Sequence, residues 1–231
     1  MPRLIRADTL VTRGKQRADM ENTTFVADTE WKFHLSTAYA ELYSILVASG
    51  LRYFERTATL VTKASRATYP LPADFLSGIG LDYLVSATTG ERRELVELMA
   101  QERNVYAGLT GSAEARAFAY VGPNLVLYPQ PPAGQSYEIV YVPQPADLSD
   151  VADTDEIDVV TPDGEAFLLW SMAVIARDKE ESDITTAMAE RERARARVEE
   201  WSTLRALNSP RRRIVADELA SYRYDAGDWR P

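Results

Sequence analysis

The stretch Ser65–Leu84, SRATYPLPADFLSGIGLDYL, holds a strand that stops at Leu71-Pro72 and restarts at Phe75. Tyr69 and Leu71 alternate with Thr68 and Pro70, the period of an edge strand with one buried face. Pro72 has no N–H to give to a ladder and keeps Leu71 extended, so pairing ends there. Asp74 is then placed to accept from nearby backbone N–H groups in an Asx turn, while Phe75 returns to a core. Tyr69, Leu71, Pro72, Asp74 and Phe75 thus read as a structural corner between strands. No histidine, cysteine or glycine-rich loop stands beside them to make the corner catalytic.

Strand signals continue on both sides of this corner. Upstream lies RYFERTATLVTKA; downstream lie GIGLDYLVS, ARAFAYVG, NLVLYP and SYEIVYVP, all rich in β-branched and aromatic residues. Turn residues separate them at Thr89-Gly90, Gly122-Pro123-Asn124 and Pro131-Pro132-Ala133-Gly134. The spacing predicts an antiparallel meander, interrupted by a helix near Leu98–Tyr106.

Helical periodicity governs both ends of the chain. From Asp28, Trp31, Leu35, Ala38, Leu42 and Leu46 fall on one stripe, with Asp28 as N-cap and Gly50 as stop. A shorter helix is predicted around Thr9–Met20. Thr161-Pro162-Asp163 opens a third helix, with Phe167, Trp170, Ala173, Val174 and Ile175 on its apolar side. A fourth is predicted from Asp183 to about Leu207, where Asn208-Ser209-Pro210 ends it. The expected fold class is α+β. Residues 1–50 and 161–207 form one helical bundle, residues 51–146 an inserted antiparallel β-sandwich or barrel-like lobe, residues 147–160 an acidic loop, and residues 208–231 an extended C-terminal tail.

Composition narrows the function. At 231 residues and 45% hydrophobic the chain buries a core unaided. It has no cysteine, so disulfides and thiolate metal sites are excluded, and His34, its single histidine, rules out a histidine cluster within one chain. A net charge of -9 argues against a broad basic face for nucleic acid. No apolar run approaches the ~20 residues of a membrane span, and no signal-peptide hydrophobic region follows Met1–Arg6. The chain reads as a protein of the cytosol in which it is made, with no cofactor.

Four groups of residues remain as candidates. Asp147, Asp150, Asp153, Asp155, Glu156 and Asp158 form the densest acidic segment, but as an EF-hand it fails: counted from Asp153, Ile157 stands at a ligand position and Asp158 where glycine belongs. It reads as a solvated loop. Arg191, Arg193, Arg195 and Arg197 alternate along the last helix, which spreads them over two faces, with Glu199 one turn beyond Arg195. Arg211, Arg212, Arg213, Tyr222, Tyr224 and Trp229 give the tail charge and aromatic bulk suited to folding on a partner. His34 lies beside the apolar stripe of its helix and has no nucleophile pattern around it, so it reads as a packing residue. No triad, Walker loop or dinucleotide fingerprint occurs.

The order of the pieces carries a resemblance. RADMENTTFVADTEW leads into AYAELYSIL, then YPLPADFLSGIGLDY, LVLYPQPPAGQSYEIVYVP, DLSDVADTDEID and FLLWSMAVIARDKEESD before a charged final helix. From about Arg13 to Leu207 the chain resembles the adaptor proteins of the head-to-tail connector of tailed bacteriophages. That resemblance implies a non-enzymatic virion protein of the neck, made in the host cytoplasm. It implies a dodecameric ring that docks beneath the portal after DNA packaging, supports the next tail component and surrounds the channel for double-stranded DNA. Arg191, Arg193, Arg195 and Arg197 read as a salt-bridge-laced exposed helix or, in such a ring, as part of the subunit interface; the tail, Arg211–Arg213 with Tyr222, Tyr224 and Trp229, is expected at the portal or across a neighbouring subunit. Two other readings stay open: a carbohydrate- or protein-binding β module carried on a helical bundle, as in a tail accessory protein, and a carboxylate-metal hydrolase.

Overall fold

A short strand, β1 (Leu4–Arg6), runs directly into helix α1 (Ala7–Ala18), and α2 (Asp28–Ala48) follows. The protein is described from a computed structural model covering residues 3–22, 25–50, 52–86, 88–99, 102 and 114–208. After a 3-10 turn at Arg52–Phe54 come β2 (Arg56–Val61), β3 (Thr68–Pro70), β4 (Phe75–Ser86), β5 (Glu91–Glu94) and β6 (Val96–Glu97). Then β7 (Ala117–Val121), β8 (Asn124–Tyr128), β9 (Ser136–Pro143) and β10 (Glu156–Asp158) precede α3 (Pro162–Lys179) and α4 (Thr185–Asn208). The fold is α+β, and no described helix is long and apolar enough to cross a membrane.

Helices from both ends of the chain share one core. Trp31, Leu35, Ala38, Leu42 and Leu46 of α2 are each buried to within 1%, because helical spacing keeps them on one face. They meet Leu10 of α1 and Phe167, Leu168, Met172 and Ala173 of α3. Full burial of each large side chain contributes about 1.5–3 kcal/mol. Helix α3 departs from the expected one-sided pattern: Phe167, Leu168, Leu169, Met172, Ala173 and Ala176 are all buried, so it is the central helix, covered by α1, α2 and α4. Gly14 lets α1 close on α3, since a Cβ there would stand 2.8 Å from Met172 Cε.

The helix ends follow the sequence in part. Thr161 caps α3, its Oγ1 accepting from the Gly164 N–H at 2.9 Å, with Pro162 at the first position. Gly50, at φ +75°, donates to the Val47 carbonyl and closes α2. Asp28 is not the expected N-cap. Ala27 holds that place without a side-chain bond, and Asp28 ion-pairs with Lys15 instead.

The β lobe has two four-stranded sheets, ordered β2-β9-β4-β5 and β3-β8-β7-β6. Their inward residues, including Tyr69, Leu81, Phe118, Leu125, Leu127, Tyr137, Ile139 and Tyr141, form one cluster. Neither sheet closes into a barrel among the described residues. One pairing is parallel: β6 with β7, Val96 opposite Ala117. The helix expected near Leu98–Tyr106 falls mostly outside the described residues, and at its predicted start the Leu98 N–H extends this parallel pairing to the Phe118 carbonyl at 2.8 Å. Residues 147–160 are likewise not wholly a solvated loop. Glu156–Asp158 is strand β10, antiparallel to β1, because Ile157 and Val159 alternate inward and are buried.

Candidate functional site

The corner at Tyr69–Phe75 sits at a sheet edge, with β3 pairing only to β8 through Tyr69 opposite Leu125. Tyr69 is buried and its hydroxyl donates to the Arg66 carbonyl at 2.8 Å. Leu71 donates its N–H to Pro123 O at 3.0 Å. The turn itself is held by backbone: the Phe75 N–H donates to Pro72 O at 3.0 Å. Asp74 makes no Asx turn. Its carboxylate accepts from the Tyr141 hydroxyl at 2.9 Å and pairs with Arg56 at 3.2 Å, because the reversal aims the side chain at β9 and β2 rather than at its own backbone. Phe75 stacks on Tyr141, centroids 5.7 Å apart.

The bundle and β lobe join beside this corner. The Tyr43 hydroxyl of α2 donates to Pro143 O at 2.6 Å, and its ring lies 4.4 Å from that of Phe54. The Tyr53 hydroxyl donates to Asp158 Oδ2 at 2.5 Å. Burial, then this hydrogen bond, pushes the Tyr53 hydroxyl up to about 12. Arg205 of α4 lies over both Tyr53 and Trp201, 5.4 and 5.3 Å from the ring centroids. The last helix therefore ends against the connection that enters the β lobe. No sequence period marks Tyr53 or Arg205, which meet only through the tertiary fold.

The four arginines of α4 have unlike settings. Ala187, Ala194, Val198 and Ser202 form the buried seam against α3, small side chains that bring the two helices close. Arg191 turns inward: both Glu41 carboxylate oxygens accept from it at 2.6 Å, Ser171 Oγ accepts at 3.1 Å, and its guanidinium covers Phe167. Arg195 pairs with Glu199 at 2.9 Å, and that neighbour raises its pKa. Arg193 pairs with Glu190, and Arg197 with Asp163 at 2.7 Å. Arg193 and Arg197 have side chains 67% and 53% exposed against 20% for Arg191, so the outer face of α4 is drawn by 193 and 197.

Other candidates resolve as supports. Asp147 accepts from the Ser149 N–H, which chiefly lowers its pKa, and from Ser36, and Asp153 pairs with Lys32 at 2.9 Å. Asp147, Asp150, Asp155, Glu156 and Asp158 border an open groove of about 580 Å³ beside Tyr39, and Asp153 lies outside its lining. Among the described residues no three histidine, aspartate or glutamate side chains converge as a metal-ligand set. His34 is 8% exposed, edge-on to Trp31, and its Nε2 has no hydrogen-bond partner. Glu165 gave no sequence signal beyond its place in the first turn of α3. It is nevertheless buried, accepting from Arg3 at 2.5 Å and from Arg13. Arg211, Arg212, Arg213, Tyr222, Tyr224 and Trp229 lie outside the described residues.

The SU10 adaptor protein family matches residues 7–214, a span that takes in both lobes. The chain belongs to that family. It is a family of phage head-tail adaptors, structural components of the virion. The comparison with curated proteins found no match. In this adaptor the matched span ends just past α4, including Arg211–Arg213 but not Tyr222, Tyr224 or Trp229.

Proposed function

We propose that this adaptor is a non-enzymatic ring subunit that docks beneath the portal, joins head to tail and surrounds the channel through which the genome leaves. The family match across both lobes is the observation that carries the reading. A bundle with an inserted, sandwich-like β lobe gives the subunit two unlike sides, and contact between unlike patches closes a ring when the rotation closes; twelve copies are proposed here. The outer face of α4, with Arg193, Arg195 and Arg197 and with Arg191 as an inward strut, meets the neighbouring subunit. The tail, through Arg211, Arg212, Arg213, Tyr222, Tyr224 and Trp229, docks on the portal, and another surface of the ring receives the next neck protein. The excess of carboxylates limits adhesion of sliding DNA to the channel wall.

Native mass spectrometry of this chain mixed with the portal protein of the same genome tests the reading. The expected result is an assembly with equal numbers of the two proteins that is lost when the adaptor is cut after Pro210. Absence of any complex with an intact portal overturns the docking proposal. A complex unaffected by the truncation overturns the role of the tail alone.

A further inference from the structure

Sheet edges are templates for added strands, and proteins blunt them with short strands, proline or charge. Three of the four edges of the β lobe are blunted in these ways. Strand β3 has three residues and contains Pro70, β6 has two residues, and β5 reads Glu-Arg-Arg-Glu along its whole length. Strand β2 is the exception. Its six residues, RTATLV, carry no charge after Arg56 and no proline, and among the described residues only β9 pairs with it, on one side.

The orientation of this edge follows from the ladder. Thr62 donates its N–H to Gln135 O, so the bonded pairs fall at alternate residues. The N–H and C=O groups of Thr57, Thr59 and Val61 therefore point away from β9. All three residues are exposed, Val61 to 53%.

We propose that the open edge of β2 seats the chain's own C-terminal segment, added as a fifth strand centred on Ile214 and Val215. Helix α4 delivers the segment to this place: Arg205, one turn before its end, covers Tyr53, three residues before β2 begins. Twenty-three residues follow Asn208, and the run from Arg211 to Arg230 has no proline, so every residue in it can donate to a ladder. Five residues past Asn208 reach about 17 Å when extended, enough to bring Ile214 to β2, which spans about 20 Å. Ile214 and Val215 are the only β-branched residues of the segment. A segment seated on β2 and one docked on a portal are alternative states, so in this respect the seat is a latch that bears on the proposed docking.

Residue-resolved amide exchange on the full chain, with no portal present, tests the seat apart from portal docking. The comparison is with full-length Val215→Pro and with the chain ending at Pro210, which keeps every described element. The Thr57, Thr59 and Val61 amides are expected to exchange at least about tenfold more slowly in the full chain than in either variant. The Ala58 and Leu60 amides, bonded to β9, report that each variant is folded. Equal rates at 57, 59 and 61 in all three proteins overturn the proposal. Protection that rises with protein concentration assigns the added strand to a second copy and overturns the same-chain seat.

Discussion

In the helical bundle the buried charge Glu165 is held from two sides by Arg3 and Arg13, whereas the β lobe pairs its buried Glu138 with Arg92 alone, at 2.7 Å, and ties its loops with tyrosine hydroxyls. Tyr69 reaches the Arg66 carbonyl, Tyr141 reaches Asp74, and the Tyr137 hydroxyl accepts from the Ala115 N–H at 3.1 Å while donating to Gln135 at 2.9 Å. Helices satisfy their own backbone, so what a bundle needs from polar groups is a tie between separate elements, and an ion pair spans that gap. The β lobe is not the expected meander, since β2 pairs with β9 and β3 with β8, and the loops that link its strands have N–H and C=O groups outside the ladders. Tyrosine suits them because its ring fills the core while its hydroxyl reaches the rim.

The comparison breaks first at its apolar base. Trp31→Ala should cost about 3–5 kcal/mol in a urea titration, since Trp31 is 1% exposed at the centre of the bundle. A loss confined to about 1 kcal/mol would mean that the bundle relaxes around the void. Glu165→Ala comes next, at about 2 kcal/mol, less than a fully buried pair because both arginines are nearly half exposed. Adding salt to the wild type should reproduce little of that loss, because Glu165 is sheltered from screening ions.

Tyr137→Phe tests the other side of the comparison. Removing its hydroxyl takes the acceptor from the buried Ala115 N–H and one donor from Gln135, and should cost about 1–2 kcal/mol. Amide exchange should speed up around 115 and 135 and leave α2 unchanged; an equal rise in α2 would show that the lobes do not keep separate polar ties. Thr161→Ala removes the α3 cap and should cost about 1 kcal/mol.

The smallest effect is on pH. Burial holds the His34 pKa below its usual 6.5, with Glu30 opposing and Lys179 assisting. The unfolded chain therefore binds a proton that the folded chain refuses, so stability present above 6.5 is lost as pH falls through the lower folded value. The urea midpoint should drop between about pH 7.5 and pH 5.5, and His34→Phe should flatten that slope.

Where a single period decided an element, the residues alone were enough to read it. The stripe Trp31-Leu35-Ala38-Leu42-Leu46, the Thr161-Pro162 start and the strand from Ser136 to Pro143 each follow from local chemistry. Residues whose roles come from distant partners were not legible. Asp74 was free to bond its own backbone until β9 brought Tyr141 to it, and β10 exists because Leu4–Arg6, some 150 positions earlier, supplies its ladder. Arg191 looked like its three neighbours in the alternating run, yet Glu41 and Phe167 draw it inward. The meeting of Arg205 with Tyr53 left no mark on either local pattern.

The insertion of the β lobe within the bundle also sets an order of birth. During synthesis the whole of Arg56–Pro143 leaves the ribosome before any residue of α3 or α4, and nearly all of its pairings are internal to that span. The apolar stripe of α2, by contrast, waits for Phe167 and Met172. At 5–20 residues per second that wait is on the order of ten seconds. The nascent adaptor thus carries every partner of β2 to β9 before the helices that cover α2 have been made.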